Sequence, residues 1–223
     1  MQLKETTLTR NYTSTFTNKV MSLFGLALLV TGLGVYTGFN YGLSYFYSTP
    51  GLMLGLFALE LGLIITSGWW SKKEPLNYAL FSAFTFISGL TLVPLLLSFA
   101  SEFKGYDIIY SALFSSTATF IGAGLFGLTT KRSLTGLYGF LVMGLIGLLI
   151  VSIGGIFFPW GNAMEMMVSG FGVLLFAGYA VVDFNRLSSY PEDAYINATM
   201  ALYLDFFNLF IFVLRLTGAL SRD

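Results

Sequence analysis

Along the chain, long apolar runs alternate with short polar breaks. Windows of predominantly apolar residues lie at about 20–43, 51–70, 76–100, 106–129, 134–158, 163–184 and 195–217. Each reaches or exceeds the roughly 20 residues that a helix rising 1.5 Å per residue needs to cross about 30 Å of hydrocarbon. The pattern predicts an all-α membrane protein of seven transmembrane helices over 20–217, with an amino-terminal tail over 1–19 and a short carboxyl-terminal tail over 218–223. The tail is Thr-rich and carries Lys4, Glu5, Arg10 and Lys19. It is too polar for the apolar region of a signal peptide, so no cleavage is expected.

Polarity inside the windows is concentrated in the last one. On a helix from about Tyr195 to Thr217, at roughly 100° per residue, Asn197, Ala201, Asp205, Asn208 and Arg215 fall within about one quadrant, and the other faces are Leu, Ile, Phe, Met and Val. An ionised Asp at mid-bilayer costs about 2.5–3.5 kcal/mol on insertion scales, so this stripe is expected to face protein or a water-filled path. Asp183 closes the sixth window, near its predicted cytoplasmic end. Glu60 stands midway along the second window, and Arg215 near the outer end of the seventh has the reach to meet it; the two are expected to form an ion pair.

Charge between the windows sets an orientation. Lys4, Arg10, Lys19, Lys72, Lys73, Lys131, Arg132 and Arg186 fall on one side, against Lys104 and Arg222 on the other. By the positive-inside rule the amino terminus is cytoplasmic, and seven spans put the carboxyl terminus outside. Only 10% of the 223 residues are charged and 56% are hydrophobic, a composition proper to a multi-span membrane protein folded as one domain. With 11 basic and 11 acidic residues, no long charged run and no net charge, nothing points to nucleic acid. The absence of Cys and His removes disulfides, thiolate chemistry, the usual zinc ligands and the usual pH switch, leaving carboxylates to sense pH.

Other motifs read as packing. Gly34, Gly38 and Gly42, and Gly51 with Gly55, predict small-residue faces for close helix approach. Trp69, Trp70 and Trp160 fall at span ends, where aromatic belts form. The GxGxxG match at Gly122, Gly124 and Gly127 has no preceding strand and is a chance match to a dinucleotide fingerprint. Met164, Met166 and Met167 lack a Cys or His to complete a soft-metal site. Asn197-Ala-Thr199 fits a glycosylation pattern at an unsuitable depth, and Pro94 predicts a kink in the third span.

Asp183 and Asp205 on consecutive spans admit three readings. In the first they are structural, with Asp183 paired to Arg186 one turn on. In the second they are the acid and base of an intramembrane aspartyl protease of presenilin type; that family's Gly-x-Gly before the second aspartate and its Pro-Ala-Leu are missing, since Leu202-Tyr203-Leu204 precedes Asp205 and no proline precedes Ala-Leu. The third follows from a resemblance. Ala177-Gly178-Tyr179, Asp183, Ala201-Leu202-Tyr203-Leu204-Asp205, Asn208-Leu209-Phe210 and Leu214-Arg215 resemble the carboxyl-terminal signature of the Bax inhibitor family, and Lys19-Val20 and Phe57-Ala58-Leu59-Glu60 resemble it too.

The resemblance implies six helices around a central polar seventh, and a passive pH-dependent calcium leak with no enzymatic activity and no cofactor. It implies that Asp183 and Asp205 form a proton-sharing pair that serves as pH sensor and ion path, and that Glu60 and Arg215 pair. A bacterial-type member would lie in the cytoplasmic membrane. An arginine found beside the aspartates in some bacterial members falls here at Ser71, next to Lys72 and Lys73. Bacterial relatives are also linked to modulation of a membrane AAA protease, so a regulator that binds such a partner through its tail is the alternative function. Two carboxylates offer a calcium ion at most four oxygens of the six to eight it takes, with Asn208 and water as additions; that suits a passing ion better than a stored one.

Overall fold

The computed structural model describes residues 2–49 and 51–222, with side chains described from residue 15 onward apart from those at 47 and 156. The side chains of Lys4, Glu5 and Arg10, which carry part of the charge asymmetry, lie outside this set, as do Met1 and Asp223 at the tips of the two tails. Among the described residues there is no strand. The helices are α1 (Gln2–Thr37), α2 (Leu43–Ser48), α3 (Leu52–Trp70), α4 (Leu76–Glu102), α5 (Asp107–Thr129), α6 (Tyr138–Phe157), α7 (Asn162–Arg186) and α8 (Tyr195–Ser221). A five-residue π-helical segment, Gly38–Gly42, joins α1 to α2 without a break.

Among the described residues seven helical runs are long and apolar enough to cross a membrane: Thr15–Phe46, Leu52–Trp70, Leu76–Glu102, Asp107–Thr129, Thr135–Gly155, Asn162–Ser189 and Glu192–Ser221. The chain is thus an all-α, seven-span membrane protein. These runs coincide with the predicted windows to within a few residues at each end. They lengthen where 3₁₀ turns extend the α-helices: Leu187–Ser189 prolongs α7, and Glu192–Ala194 leads into α8. α4 runs on past Pro94 to Glu102. Of the seven runs, that of α8 has the largest share of buried positions and that of α3 the smallest.

The chain forms two compact units, Met1–Ser98 with Ser188–Tyr203, and Phe99–Leu187 with Leu204–Asp223. In the first unit α1 and α4 touch backbone to backbone. A β-carbon at Gly34 would strike the Phe86 carbonyl oxygen, and one at Gly89 the Thr31 carbonyl oxygen. Only glycine permits such an approach, which in lipid replaces the hydrophobic drive as a source of cohesion. Gly38 lies against Val93 in the same seam, where a β-carbon would meet Cγ2 at 2.7 Å. Gly42 faces Phe46 of its own run instead. Gly51 and Gly55 have nothing within 4 Å of an added β-carbon, so the expected second small-residue face is not a packing face. Gly51 supplies φ +88 at the entry to α3, a left-handed turn that costs glycine no steric strain.

The connection from α3 to α4 is tied to the start of α8. Asn77 Nδ2 donates to the Ser71 carbonyl at 3.1 Å and to the Tyr195 hydroxyl at 2.9 Å, and Tyr195 donates to Glu74. Lys72 pairs with Asp193 at 2.8 Å, and Lys19 Nζ sits 3.4 Å above the Tyr195 ring. Trp69 is exposed beneath Lys73, as a belt residue would be. Trp70 departs from the belt: it is buried and donates its indole N–H to Leu63.

In the second unit α7 packs on α5 and α6. The GxGxxG glycines lie inside α5, where Gly124 accepts the Phe184 ring and a β-carbon at Gly127 would strike the Val181 carbonyl oxygen. Their spacing is a helix-packing device. Met164 and Met167 line an apolar cleft of about 260 Å³ with Gly147, Leu148, Val168 and Phe171. Met166 accepts a 3.9 Å contact from Asn162 Nδ2. Among the described residues no group of three or more His, Cys, Asp or Glu is placed to hold a metal ion.

Candidate functional site

The site belongs to the second unit and begins with packing. Phe120 of α5 stacks edge-on against Phe184 of α7 at 5.2 Å and against Phe206 of α8 at 5.3 Å, and Phe176 of α7 lies on Phe212 of α8 at 5.7 Å. A β-carbon at Gly172 would strike the Phe212 ring, so α7 and α8 are pressed together along this face. Asp183 and Asp205, each adjacent in sequence to one of these rings, are carried inward.

Both aspartates are 5% exposed, and their carboxyl groups lie side by side, within hydrogen-bonding reach of each other. A hydrogen bond between two carboxyl groups needs at least one proton on the pair. The second oxygen of each, Asp183 Oδ1 and Asp205 Oδ2, has no hydrogen-bond partner. Arg186, one turn beyond Asp183, brings Nη1 to 4.0 Å from Oδ1, an ion-pair distance but not a hydrogen bond, while its guanidinium lies over the Tyr138 ring.

The sequence reading placed Asp183 near the end of its span. The helical run continues to Ser189, and this sets the carboxyl more than a turn inside it. Tyr179, which the sequence offers only as part of the signature and without a role, stands one turn before Asp183 on α7. Its buried hydroxyl has no hydrogen-bond partner and lies within electrostatic reach of both aspartates. The i, i+4 spacing from Asp183 was the available signal. Asn185 was also missed. Its amide donates to the Gly127 and Thr130 carbonyls at 3.1 and 3.0 Å and its oxygen accepts the Leu134 N–H at 3.0 Å, so the α5–α6 connection is fastened to the end of α7. Asn208 of α8 donates its amide to the Leu204 carbonyl one turn back, at 2.8 Å.

The expected Glu60–Arg215 ion pair is replaced by two separate arrangements. Arg215 makes a two-pronged bond to Glu165, Nε to Oε1 at 2.7 Å and Nη2 to Oε2 at 3.0 Å, and the Trp160 indole N–H adds a third donor to Oε2 at 3.0 Å. Glu165 lies near the start of α7 and Arg215 near the end of α8. These are neighbouring ends of consecutive antiparallel spans, whereas Glu60 stands in the middle of α3. Glu60 accepts hydroxyls instead, from Ser88 at 2.6 Å and Thr91 at 3.2 Å. Ser71, where the resemblance expected an arginine, is buried in the first unit with its hydroxyl unpartnered.

A model of the family described as "Inhibitor of apoptosis-promoting Bax1" matches residues 13–222. An uncharacterised Campylobacter jejuni protein, Cj0236c, is 33% identical over 203 residues, 91% of this chain and 87% of that one. Bax inhibitor 1 of Schizosaccharomyces pombe is 32% identical over 175 residues, 77% of this chain and 63% of that protein. Mouse protein lifeguard 4 is 31% identical over 216 residues, 93% of this chain and 86% of that one. Matched from before its first span to the end of its last, and at full-span length by bacterial and animal relatives alike, the chain belongs to the Bax inhibitor family.

Proposed function

We propose that the protein is a passive, pH-gated cation leak, with calcium the favoured ion and the Asp183–Asp205 pair as its gate. The observation that carries this reading is the burial of two carboxyls side by side on α7 and α8, each with a second oxygen that accepts no hydrogen bond. The shared proton ties α7 to α8. When it leaves, two like charges face each other in a nearly dry site, and either they separate or a cation joins them. Flux therefore rises as pH rises through the titration of the pair. Hard oxygen ligands suit calcium, and their small number makes the stay brief. The cytoplasmic membrane with an inside amino terminus, the lipid bilayer and calcium as partners, and the absence of enzymatic turnover belong to the same reading.

The test is calcium flux into liposomes holding the purified protein, measured across a pH series. Wild type conducts with a pH-dependent rate, whereas Asp183→Asn and Asp205→Asn conduct with a flat profile. Absence of flux, or a wild-type profile in both variants, overturns the channel and favours a regulator that acts by binding a membrane protease. Cleavage of a transmembrane peptide that depends on Asp205 would restore the aspartyl-protease reading.

A further inference from the structure

Glu60 is the acidic residue whose surroundings the gate does not explain. It lies near the middle of the 19-residue helix α3, half-buried, at a depth where the bilayer offers no water to screen a carboxylate. Among the described residues no lysine or arginine lies within 4.0 Å of it. Its neighbours from α4 are Ser88 and Thr91, and each of those hydroxyls has two acceptors in reach. Ser88 Oγ can donate to Glu60 Oε1 at 2.6 Å or to the Phe84 carbonyl at 3.0 Å; Thr91 Oγ1 can donate to Glu60 Oε2 at 3.2 Å or to the Ser88 carbonyl at 3.1 Å. The Tyr203 hydroxyl of α8 lies near Ser88 and 2.7 Å from Thr31 Oγ1 of α1. Tyr203 is the titratable group facing this cluster, and the Phe81 and Phe84 rings enclose it edge-on.

A carboxylate held only by hydroxyls is served in one charge state. Hydroxyls with a second acceptor already at hand serve both. We propose that Glu60 is a second proton-binding site of this protein, separate from the aspartate pair, with Ser88 and Thr91 as rotors that accommodate its two charge states. On uptake a proton from water bonds to Oε1 and the carboxyl goes from charge minus one to zero. The Ser88 O–H turns from Oε1 to the Phe84 carbonyl, and the new Glu60 O–H donates to Ser88 Oγ. The Thr91 O–H turns to the Ser88 carbonyl, and no other bond is made or broken. The neutral cluster then needs no counter-charge in the membrane.

The experiment is pH-difference infrared spectroscopy of the whole protein in lipid nanodiscs, in an Asp183→Asn/Asp205→Asn background that silences the pair. A carboxylic-acid carbonyl band that grows on acidification and is lost when Glu60→Gln is added supports the site. Gln keeps one acceptor oxygen for one hydroxyl and offers its amide N–H to the other, which has a backbone carbonyl to donate to; a thermal-melt control in the same nanodiscs checks that the fold is retained. Ser88→Ala, which removes a donor to the charged form, moves the band's midpoint to higher pH by on the order of one unit. No such band, a band indifferent to Glu60→Gln, or a band that calcium abolishes at constant pH overturns the proposal, the last by giving the site to the metal. None of these readouts depends on the protein conducting ions.

Discussion

At the residue scale, the chain's economy with charge is what made the aspartates legible. A carboxylate within an apolar span has so few tolerable surroundings that its presence alone narrows the choice, and the structure sets Asp183 and Asp205 against each other. The partner of Arg215 was misread because Glu60 was weighed by charge and not by depth. The corrected pairing predicts a strong coupling: a double-mutant cycle of Glu165→Gln and Arg215→Gln should give about 1–3 kcal/mol of interaction in detergent melts, and the cycle of Glu60→Gln with Arg215→Gln close to none. The spacing of Tyr179 from Asp183 was legible, but not that its hydroxyl goes without a hydrogen-bond partner. Since that hydroxyl has no bond to lose, Tyr179→Phe should change stability by less than about 0.5 kcal/mol in the same melts, while altering the pH profile of calcium flux through its nearness to both carboxyls.

At the scale of elements, the spans were legible because a helix in hydrocarbon must satisfy its own backbone and meet a fixed thickness. Which glycines bring helices together was not, because a GxxxG spacing fixes a face without naming what lies opposite. Gly34 and Gly89 meet carbonyl oxygens, whereas Gly55 meets nothing. Gly34→Ala and Gly89→Ala should therefore each cost about 1–3 kcal/mol, as over-packing against backbone does, and Gly55→Ala should be neutral or slightly stabilising; thermal melts of the three variants decide it. Asn185 is an element-scale part as well. With its amide and its oxygen engaged by the end of α5 and the α5–α6 connection, Asn185→Ala should raise proteolytic nicking at Lys131 and Arg132, where Ser133→Ala should not.

At the scale of the whole molecule, the absence of cysteine makes the membrane arrangement directly testable. Single cysteines at Lys104, after α4, and at Ser133, after α5, stand at opposite ends of α5. A membrane-impermeant maleimide applied to intact cells should label Lys104→Cys, and should label Ser133→Cys only after permeabilisation. The reverse result would invert the positive-inside assignment and move the aspartates toward the other face. One more property of the molecule follows from the wide turn at Gly38–Gly42. A π turn holds one residue more than the surrounding helix needs, so the first span has slack at that point and nowhere else along its length. Removing Asn40 would let the run close into regular α-helix with the facing of Gly34 unchanged, whereas removing a residue a turn earlier would swing everything beyond it by roughly 100°. Chains of this architecture one residue shorter in that stretch can therefore keep the same first crossing.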